Sequence, residues 1–211
     1  MSELETRVMT ESDIYSVVKI HQKAFRGFFL AQMGTSFLKA YYRIVLSYSG
    51  SIAHVYVGEN FSLEGFAVGF VGPVAFYQKL KRSKLKLIVP ILSGVIRNPK
   101  LVIKILENIK RVSDSESVIT HTFIDKDTVE LSSIAVSSKA NGVGSILLDA
   151  FVKNAWSRDI SNITLTTDFE NNELVNKFYI KNGFEKSGVE TRKGRKLCRY
   201  ILVNDKMSSR G

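Results

Sequence analysis

The sequence has a single cysteine and no hydrophobic run long enough to form a membrane span. Cys198 has no second cysteine to pair with, so an internal disulfide is excluded and a reducing compartment such as the cytoplasm is expected. No apolar stretch reaches the roughly 18 residues that a transmembrane helix needs. The opening residues, MSELETRVMTESD, are acidic and polar, unlike a secretory signal. We expect a cytoplasmic protein, attached at most to a membrane surface.

Several familiar ligand-binding patterns are also missing. The three histidines have no partners at metal-ligand spacing, so no metal site is predicted. The tripeptide Gly142-Val143-Gly144 is not followed by the Gly-Lys-Ser/Thr of a P-loop. A dinucleotide-binding fingerprint would need a third glycine where Leu147 stands.

The composition is that of a packed globular protein. Of the 211 residues, 45% are hydrophobic, with 13 phenylalanines and 8 tyrosines, which indicates one domain (1–211) with a single sizeable core. The formal net charge is +10, and most of it comes from residues 74–112, where ten basic residues are opposed only by Glu107. Such an asymmetry bears on binding partners and not on the fold.

Hydrophobic periodicity predicts an α/β chain with a basic insertion in its middle. Strands are predicted at Glu5–Met9, Ile52–Val57, Leu63–Val71, Thr128–Val136, Ile163–Thr167, Phe184–Gly188 and Leu197–Val203. Helices are predicted at Asp13–Phe25, Phe37–Leu46, Gly144–Trp156 and Glu173–Lys181. Residues 74–112 are then a helical insertion between the third and fourth strands.

The basic insertion has several interpretations. Residues 100–111 are amphipathic, which suits a solvated arm that covers the sheet or joins a homodimer. Residues 79–96 combine basic side chains with an apolar run, which suits peripheral contact with an anionic membrane. Nucleic-acid binding is not predicted, because no known reading motif accompanies the charge.

The most informative stretch runs from Glu130 to Leu148, where a strand leads through two glycines into a helix. The first N–H groups of a helix lack intrahelical acceptors and lie at the positive end of its dipole. Glycines at such a turn let the main chain approach an anion closely, as a pyrophosphate site requires. Alone, the tripeptide is equally consistent with an ordinary strand–helix turn.

Two motifs together resemble the GNAT acyltransferase superfamily. Lys139–Gly144 (KANGVG) is similar to the family's Gln/Arg-x-x-Gly-x-Gly/Ala, with lysine in the first position. Asn172–Phe184 is similar to Asn-x-x-Ala-x-x-Phe/Leu-Tyr-x-x-x-Gly-Phe, with Val175 in place of alanine. The turn after Val136 is about two residues shorter than is usual in the family. The resemblance covers residues 127–203 well and the N-terminal half loosely.

This resemblance implies the GNAT fold, with a mixed sheet in which strands 4 and 5 splay apart, and acetyl-CoA as cofactor. The strand residues Ile134, Ala135 and Val136 would hydrogen-bond its pantetheine arm. Asn172 and Phe178 would contact the same arm. The N–H groups of the turn and helix start would hold the pyrophosphate, from the positions Lys139, Ala140, Asn141, Gly142, Val143, Gly144 and Ser145.

The resemblance also implies two catalytic residues. Tyr179 would protonate the leaving thiolate, which is consistent with a phenol of pKa near 10 beside a thiol of pKa near 8.5. Glu130 occupies the position where some family members place a general base, and strand alternation would put it on one face with Ser132 and Ile134. Alternatively, Tyr179 is a core aromatic, Glu130 pairs with a lysine or arginine, and the chain is a non-catalytic binding module.

The resemblance implies a primary amine as the acceptor, whose identity the fold does not decide, since the family acylates proteins and many small amines. The aromatic residues of RGFFLAQMG–TSFLKAYY, with Phe28, Phe29, Tyr41 and Tyr42, and the basic insertion lie where acceptors bind in the family. Together they resemble a subgroup associated with bacterial surface-polysaccharide clusters. This implies an amino-sugar nucleotide as acceptor, whose diphosphate a basic rim would attract.

Overall fold

One seven-stranded mixed sheet organises the protein, in the strand order β1-β2-β3-β4-β5-β7-β6. The computed structural model describes residues 5–83, 85–87, 127–137, 142–192 and 194–205. All neighbouring strands are antiparallel except β4 and β5, which are parallel. The predicted α/β class and mixed sheet are confirmed.

The elements follow the predicted order. The first half contains β1 (Glu5–Val8), α1 (Ile14–Ala24), α2 (Phe29–Gln32), α3 (Thr35–Leu46), β2 (Ser51–Val57), β3 (Leu63–Val71) and α4 (Pro73–Arg82). The second half contains β4 (Thr128–Val136), α5 (Val143–Trp156), β5 (Asn162–Asp168), α6 (Glu173–Lys181), β6 (Glu185–Arg192) and β7 (Arg195–Val203). The short helix α2 and the full length of β6 were not predicted.

Helix α4 begins the basic insertion and confirms that it is helical at its start. Gly72 precedes it with φ 58°, a left-handed conformation that favours glycine, and Pro73 occupies the first turn. From residue 88 to residue 126 the chain lies outside the described residues. The predicted amphipathic helix at 100–111 and half of the proposed membrane-contacting segment, residues 88–96, fall there. No helix in the described part of the chain is long and apolar enough to span a bilayer.

Two hydrophobic clusters lie on opposite faces of the sheet. The first packs α1, α3 and α4 against one face through side chains such as Val17, Leu38 and Phe76. The second packs α5 and α6 against the other face through Leu147, Phe151 and Tyr179. Residues along β3 alternate between the two, because Phe66, Val68 and Phe70 belong to the first cluster and Ala67 to the second. We call these the α1 face and the α5 face.

A β-bulge in β4 overturns the predicted alternation along that strand. Val68 is paired with Ser133, but the next residue, Gly69, is paired with Leu131, so Ser132 is an extra residue in β4. Before the bulge Leu131 lies in the α5-face cluster, whereas after it Ile134 packs there. The prediction that Glu130 and Ile134 share a face is therefore wrong, because one inserted residue exchanges the faces.

Strands β4 and β5 separate soon after they begin. Their register runs from Thr128 opposite Asn162 to Glu130 opposite Thr164. Beyond that point β4 continues to Val136 in pairing with β3, and β5 continues to Asp168 in pairing with β7. The predicted splay of strands 4 and 5 is thus present, as a gap that opens towards the carboxyl ends of both strands.

Candidate active site

The gap between β4 and β5 brings three of the predicted site residues to its border. Ile134, Ala135 and Val136 lie on β4 past its last pairing with β5. Because β4 and β5 exchange no ladder bonds there in the described structure, main-chain groups of β4 face the gap. Ile134 and Val136 pack on the α5 face, and Ala135 is buried on the α1 face. The arrangement suits an elongated ligand that bonds to main chain.

Helix α5 begins next to the carboxyl end of β4. Gly142 caps it with φ 82°, so glycine is required there by its left-handed backbone. A Cβ at Gly144 would lie 3.4 Å from Cε2 of Phe178, an ordinary contact distance, so α5 and α6 are neighbours at this point. Val143 is buried, and the N–H group of Ser145 bonds to the carbonyl of Gly142 at 3.1 Å. The free N–H groups of this helix start therefore lie beside the gap.

The remaining residues of the first motif are outside the described part of the chain. Lys139, Ala140 and Asn141 fall in the interval 138–141 between β4 and α5. Their predicted contacts with a pyrophosphate, and the effect of lysine in the first motif position, stay predictions.

Asn172 and Phe178 border the gap from the side of β5 and α6. The side-chain amide of Asn172 donates to Oγ1 of Thr167 at 2.7 Å and to the carbonyl of Asp168 at 3.0 Å. Asn172 thus joins the start of α6 to the end of β5, a structural role that its motif position did not predict. Phe178 packs on the α5 face near Gly144. Contact of either residue with a cofactor remains a prediction.

Tyr179 is a buried phenol on the α5 face. Only 7% of the residue is exposed. Its ring lies 5.7 Å from that of Phe184 and 5.8 Å from that of Tyr200, between ring centroids. Burial raises its pKa well above the usual value, because the ionised form loses hydration. Tyr179 is therefore both a core aromatic and a phenol that keeps its proton at neutral pH, and the two predicted roles are compatible.

Glu130 lies on the α1 face among hydroxyl groups. The hydroxyl of Tyr77, on α4, donates to Oε1 of Glu130 at 2.8 Å. Tyr41, on α3, is hydrogen-bonded to Ser132, and the charge of Glu130 helps to raise its pKa, after the larger effect of burial. No sequence pattern predicts the contact with Tyr77, because 53 residues separate the two partners and the dominant signal of residues 74–112 is their positive charge.

A cavity of about 300 Å³ lies between α1 and the end of β4. Val136, which packs on the α5 face, also lines this cavity, and its Cγ1 lies 4.0 Å from the Cβ position of Gly144. The cavity is therefore at the end of β4, close to the start of α5. Two lysines give its wall positive charge. Its lining residues are Lys19, Ile20, Lys23, Ala24, Val136 and Ser137.

The described residues contain no group of three or more histidine, cysteine, aspartate or glutamate side chains that could hold a metal ion. His21 is buried, and its Nδ1 lies 2.8 Å from the Tyr42 hydroxyl. Cys198 is a buried residue of β7. None of these residues borders the gap between β4 and β5.

Comparison with known proteins identifies the fold. No protein-family profile matches the sequence, and no curated protein matches it either. An N-acetyltransferase from Staphylococcus aureus Mu50 has a similar structure, with a TM-score of 0.62 at 17% identity over 96% of this chain and 99% of that one. An acetyltransferase described as GNAT-family, from Desulfovibrio desulfuricans, has a TM-score of 0.61 at 15% identity over 95% and 99%.

A third structure is that of yncA from Salmonella typhimurium, solved with its cofactor acetyl-CoA. Its TM-score is 0.60 at 15% identity, over 97% of this chain and 95% of that one. Identities this low establish similarity of fold alone. Together with the parallel pair β4–β5, its splay and the helix that follows β4, they show that the chain has the GNAT acetyltransferase fold.

Proposed function

We propose that the protein is an acyl-CoA-dependent N-acetyltransferase that moves an acetyl group from acetyl-CoA to a primary amine. The observation that carries the proposal is the gap between β4 and β5, with a glycine-opened helix beginning beside it. Gly144 of the first motif and Phe178 of the second lie next to each other, near the end of β4. One chain of the same fold, yncA, binds acetyl-CoA as its cofactor.

The residues around the gap fit the chemistry of this cofactor. Main-chain groups of Ile134, Ala135 and Val136 would bind the pantetheine amides, and the N–H groups of Val143 and Gly144 would bind the pyrophosphate. The N–H of Ser145, which was also predicted to bind it, donates to the carbonyl of Gly142. The Cβ position of Gly144 lies against Phe178 and Val136, so the first turn of α5 is close to the end of β4 and to the second motif. Acetyl-CoA would supply an acetyl group activated as a thioester.

Two side chains would handle the protons. Glu130 would accept a proton from the ammonium form of the acceptor, which leaves a neutral amine able to attack the thioester carbonyl. As the new C–N bond forms and the C–S bond breaks, Tyr179 would donate its proton to the sulfur. The second proton lost by the nitrogen would restore Tyr179, and Glu130 would release its proton to solvent. The products are an amide, free CoA and one proton.

We propose an amino-sugar nucleotide, or a related polysaccharide precursor, as the acceptor in the cytoplasm. The excess of positive charge in residues 74–112 supports an anionic partner. So does the basic wall formed by Lys19 and Lys23 beside the end of β4. A protein or another small amine is the alternative acceptor. We also propose that the chain forms a single domain and assembles as a homodimer. Residues 79–96 would contact the surface of a membrane.

Thermal unfolding with and without acetyl-CoA tests cofactor binding. A ligand at 100 times its Kd stabilises the native state by about 2.7 kcal/mol, which should raise the Tm by roughly 5–10 °C for a chain of this size. ATP at the same concentration is the control, because it tests attraction of any polyanion to a basic protein. A shift no larger than that with ATP would contradict the proposal.

Release of free CoA in the presence of an amine panel tests turnover. The panel should pair each acceptor with a form that carries a phosphate, such as glucosamine with glucosamine 6-phosphate, and should include UDP-linked amino sugars, a peptide and spermidine. We expect thiol release with at least one amine and a preference for the anionic forms. Stabilisation by acetyl-CoA without turnover on any amine would indicate a non-catalytic binding module instead.

A further inference from the structure

The basic insertion contributes a side chain to the candidate active site, at the start of α4. The hydroxyl of Tyr77 donates a hydrogen bond to Oε1 of Glu130 at 2.8 Å. That bond joins two residues from distant parts of the chain, on the face opposite α5. The bond therefore lies on the α1 face of the sheet. From this face an acceptor could reach the gap without crossing the region proposed for the cofactor.

Helix α4 is held firmly enough to position a side chain. Phe76, the neighbour of Tyr77, is fully buried, and its ring stacks on that of Phe70 with 3.5 Å between centroids and 8° between planes. Tyr48 donates to the carbonyl of Val71 at 2.7 Å, just before the helix. Lys79 donates to the carbonyl of Ser47 at 2.8 Å, one turn after Phe76. Contacts with β3 and with the end of α3 thus fix the orientation of α4.

The surroundings of Glu130 favour a carboxylate with a defined orientation. The Tyr77 hydroxyl binds Oε1 from α4, and Tyr41, which is buried on α3 and bonded to Ser132, stands close enough to respond to the charge. The bulge at Ser132 turns this part of β4 so that Glu130 faces α3 and α4. A charge-assisted hydrogen bond from a rigid helix restricts the rotamers of the carboxylate.

We propose that Tyr77 is a positioning residue, which holds the Glu130 carboxylate in the orientation that accepts the proton of the acceptor amine. Tyr77 keeps its own proton throughout, and the ammonium proton passes to Glu130. The basic insertion is then part of the active site at its first helix, whatever its later residues do. This inference rests on the proposed acetyl transfer and on Glu130 as its base.

A double-mutant cycle of Tyr77→Phe and Glu130→Gln tests the inference. With an amine that the wild type acetylates, Tyr77→Phe should lower kcat about tenfold, because a misoriented base is a poor proton acceptor. The KM for acetyl-CoA should stay within about twofold. In the Glu130→Gln background the same change should alter kcat less than about twofold, because there is no base left to position.

Tyr48→Phe is the matched control, since it removes another hydroxyl that anchors the start of α4 but does not contact Glu130. It should lower the Tm and change kcat by the same factor in both backgrounds. If Tyr77→Phe behaves like Tyr48→Phe, its role is structural and the inference is overturned. An active wild type whose Glu130→Gln variant is equally active would overturn it as well.

Failure of the proposed function has a different signature. A wild type that shows neither stabilisation by acetyl-CoA nor release of thiol would remove both the acetyl transfer and the role of Tyr77. If the wild type is active but Tyr77→Phe changes kcat by the same factor with and without Glu130→Gln, only the positioning role of Tyr77 is contradicted.

Discussion

At the scale of single residues, the protonated state of Tyr179 is the property most relevant to the proposed chemistry. Its ring packs among Phe178, Phe184 and Tyr200, and burial raises the pKa of the phenol. A phenol in that environment is protonated at neutral pH. Because its pKa is raised, it transfers the proton only to a basic anion. A thiolate leaving group provides such an acceptor only during the reaction.

Tyr179→Phe should therefore lower kcat by about a hundredfold or more, while the Kd for acetyl-CoA changes less than about threefold. The measurement is steady-state thiol release combined with calorimetric titration of acetyl-CoA. Tyr200→Phe serves as control, because it removes a hydroxyl from the same aromatic cluster, where it donates to Asn176 at 3.1 Å. Equal losses in kcat and affinity for Tyr179→Phe would assign the residue to packing.

At the scale of elements, the start of α5 couples the first motif to the second. The residue after Val143 has no side chain, and a Cβ there would point towards the Phe178 ring and not towards open space. A larger residue at this position must displace α6 or the Phe178 ring before it can reach any bound phosphate. The contact leaves room for a single Cβ at position 144 but not for a larger side chain.

Gly144→Val should weaken acetyl-CoA binding by at least about tenfold, because its branched γ carbons would enter the contact between α5 and α6. Gly144→Ala is the matched control, since its single Cβ meets Phe178 at an ordinary contact distance of 3.4 Å. Titration calorimetry gives the two Kd values, and the Tm of each ligand-free variant reports damage to the fold. Unchanged affinity in Gly144→Val would contradict the placement of the cofactor.

Element boundaries were well predicted where the sequence pattern is local. The strand Thr128–Val136 and the helix Glu173–Lys181 have the predicted ends. The bulge at Ser132 was not predicted, because a single extra residue leaves the run ELSSIAV as regular as any strand. The hydrogen bond from Tyr77 to Glu130 could not be predicted from the sequence for another reason. It depends on the stacking of Phe76 on Phe70, which places α4 against β4.

At the scale of the whole molecule, stability should depend on pH through a buried histidine. His21 lies on α1 and faces α3, where its Nδ1 is 2.8 Å from the hydroxyl of Tyr42. Burial lowers the pKa of His21 from 6.5 to about 4. As the pH falls, His21 therefore binds a proton at a higher pH in the unfolded chain than in the folded protein. The neutral histidine thus contributes stability that is complete above pH 6.5 and is lost as the pH falls towards 4.

The resulting loss is about 3 kcal/mol between pH 6.5 and pH 4, at 1.36 kcal/mol for each unit of pKa difference. His21→Gln should flatten this part of the curve of unfolding free energy against pH, measured by urea denaturation. Burial also lowers the pKa of His54, so His54→Gln should flatten the curve in the same direction. Comparing the two variants separates the contribution of His21 from that of a second buried histidine. A curve with the same slope in His21→Gln would refute the assignment.

The bulge in β4 has a consequence for the order of events. It turns Glu130 towards α3 and α4, while the side chains of Ile134 and Val136 face α5. In the proposed acetyl transfer, Glu130 would receive the amine from the α1 face, and main-chain groups of β4 would hold the thioester in the gap. The amine and the thioester would then be bound at the same time, and the acetyl group would pass between them in one ternary complex without an acetylated form of the protein.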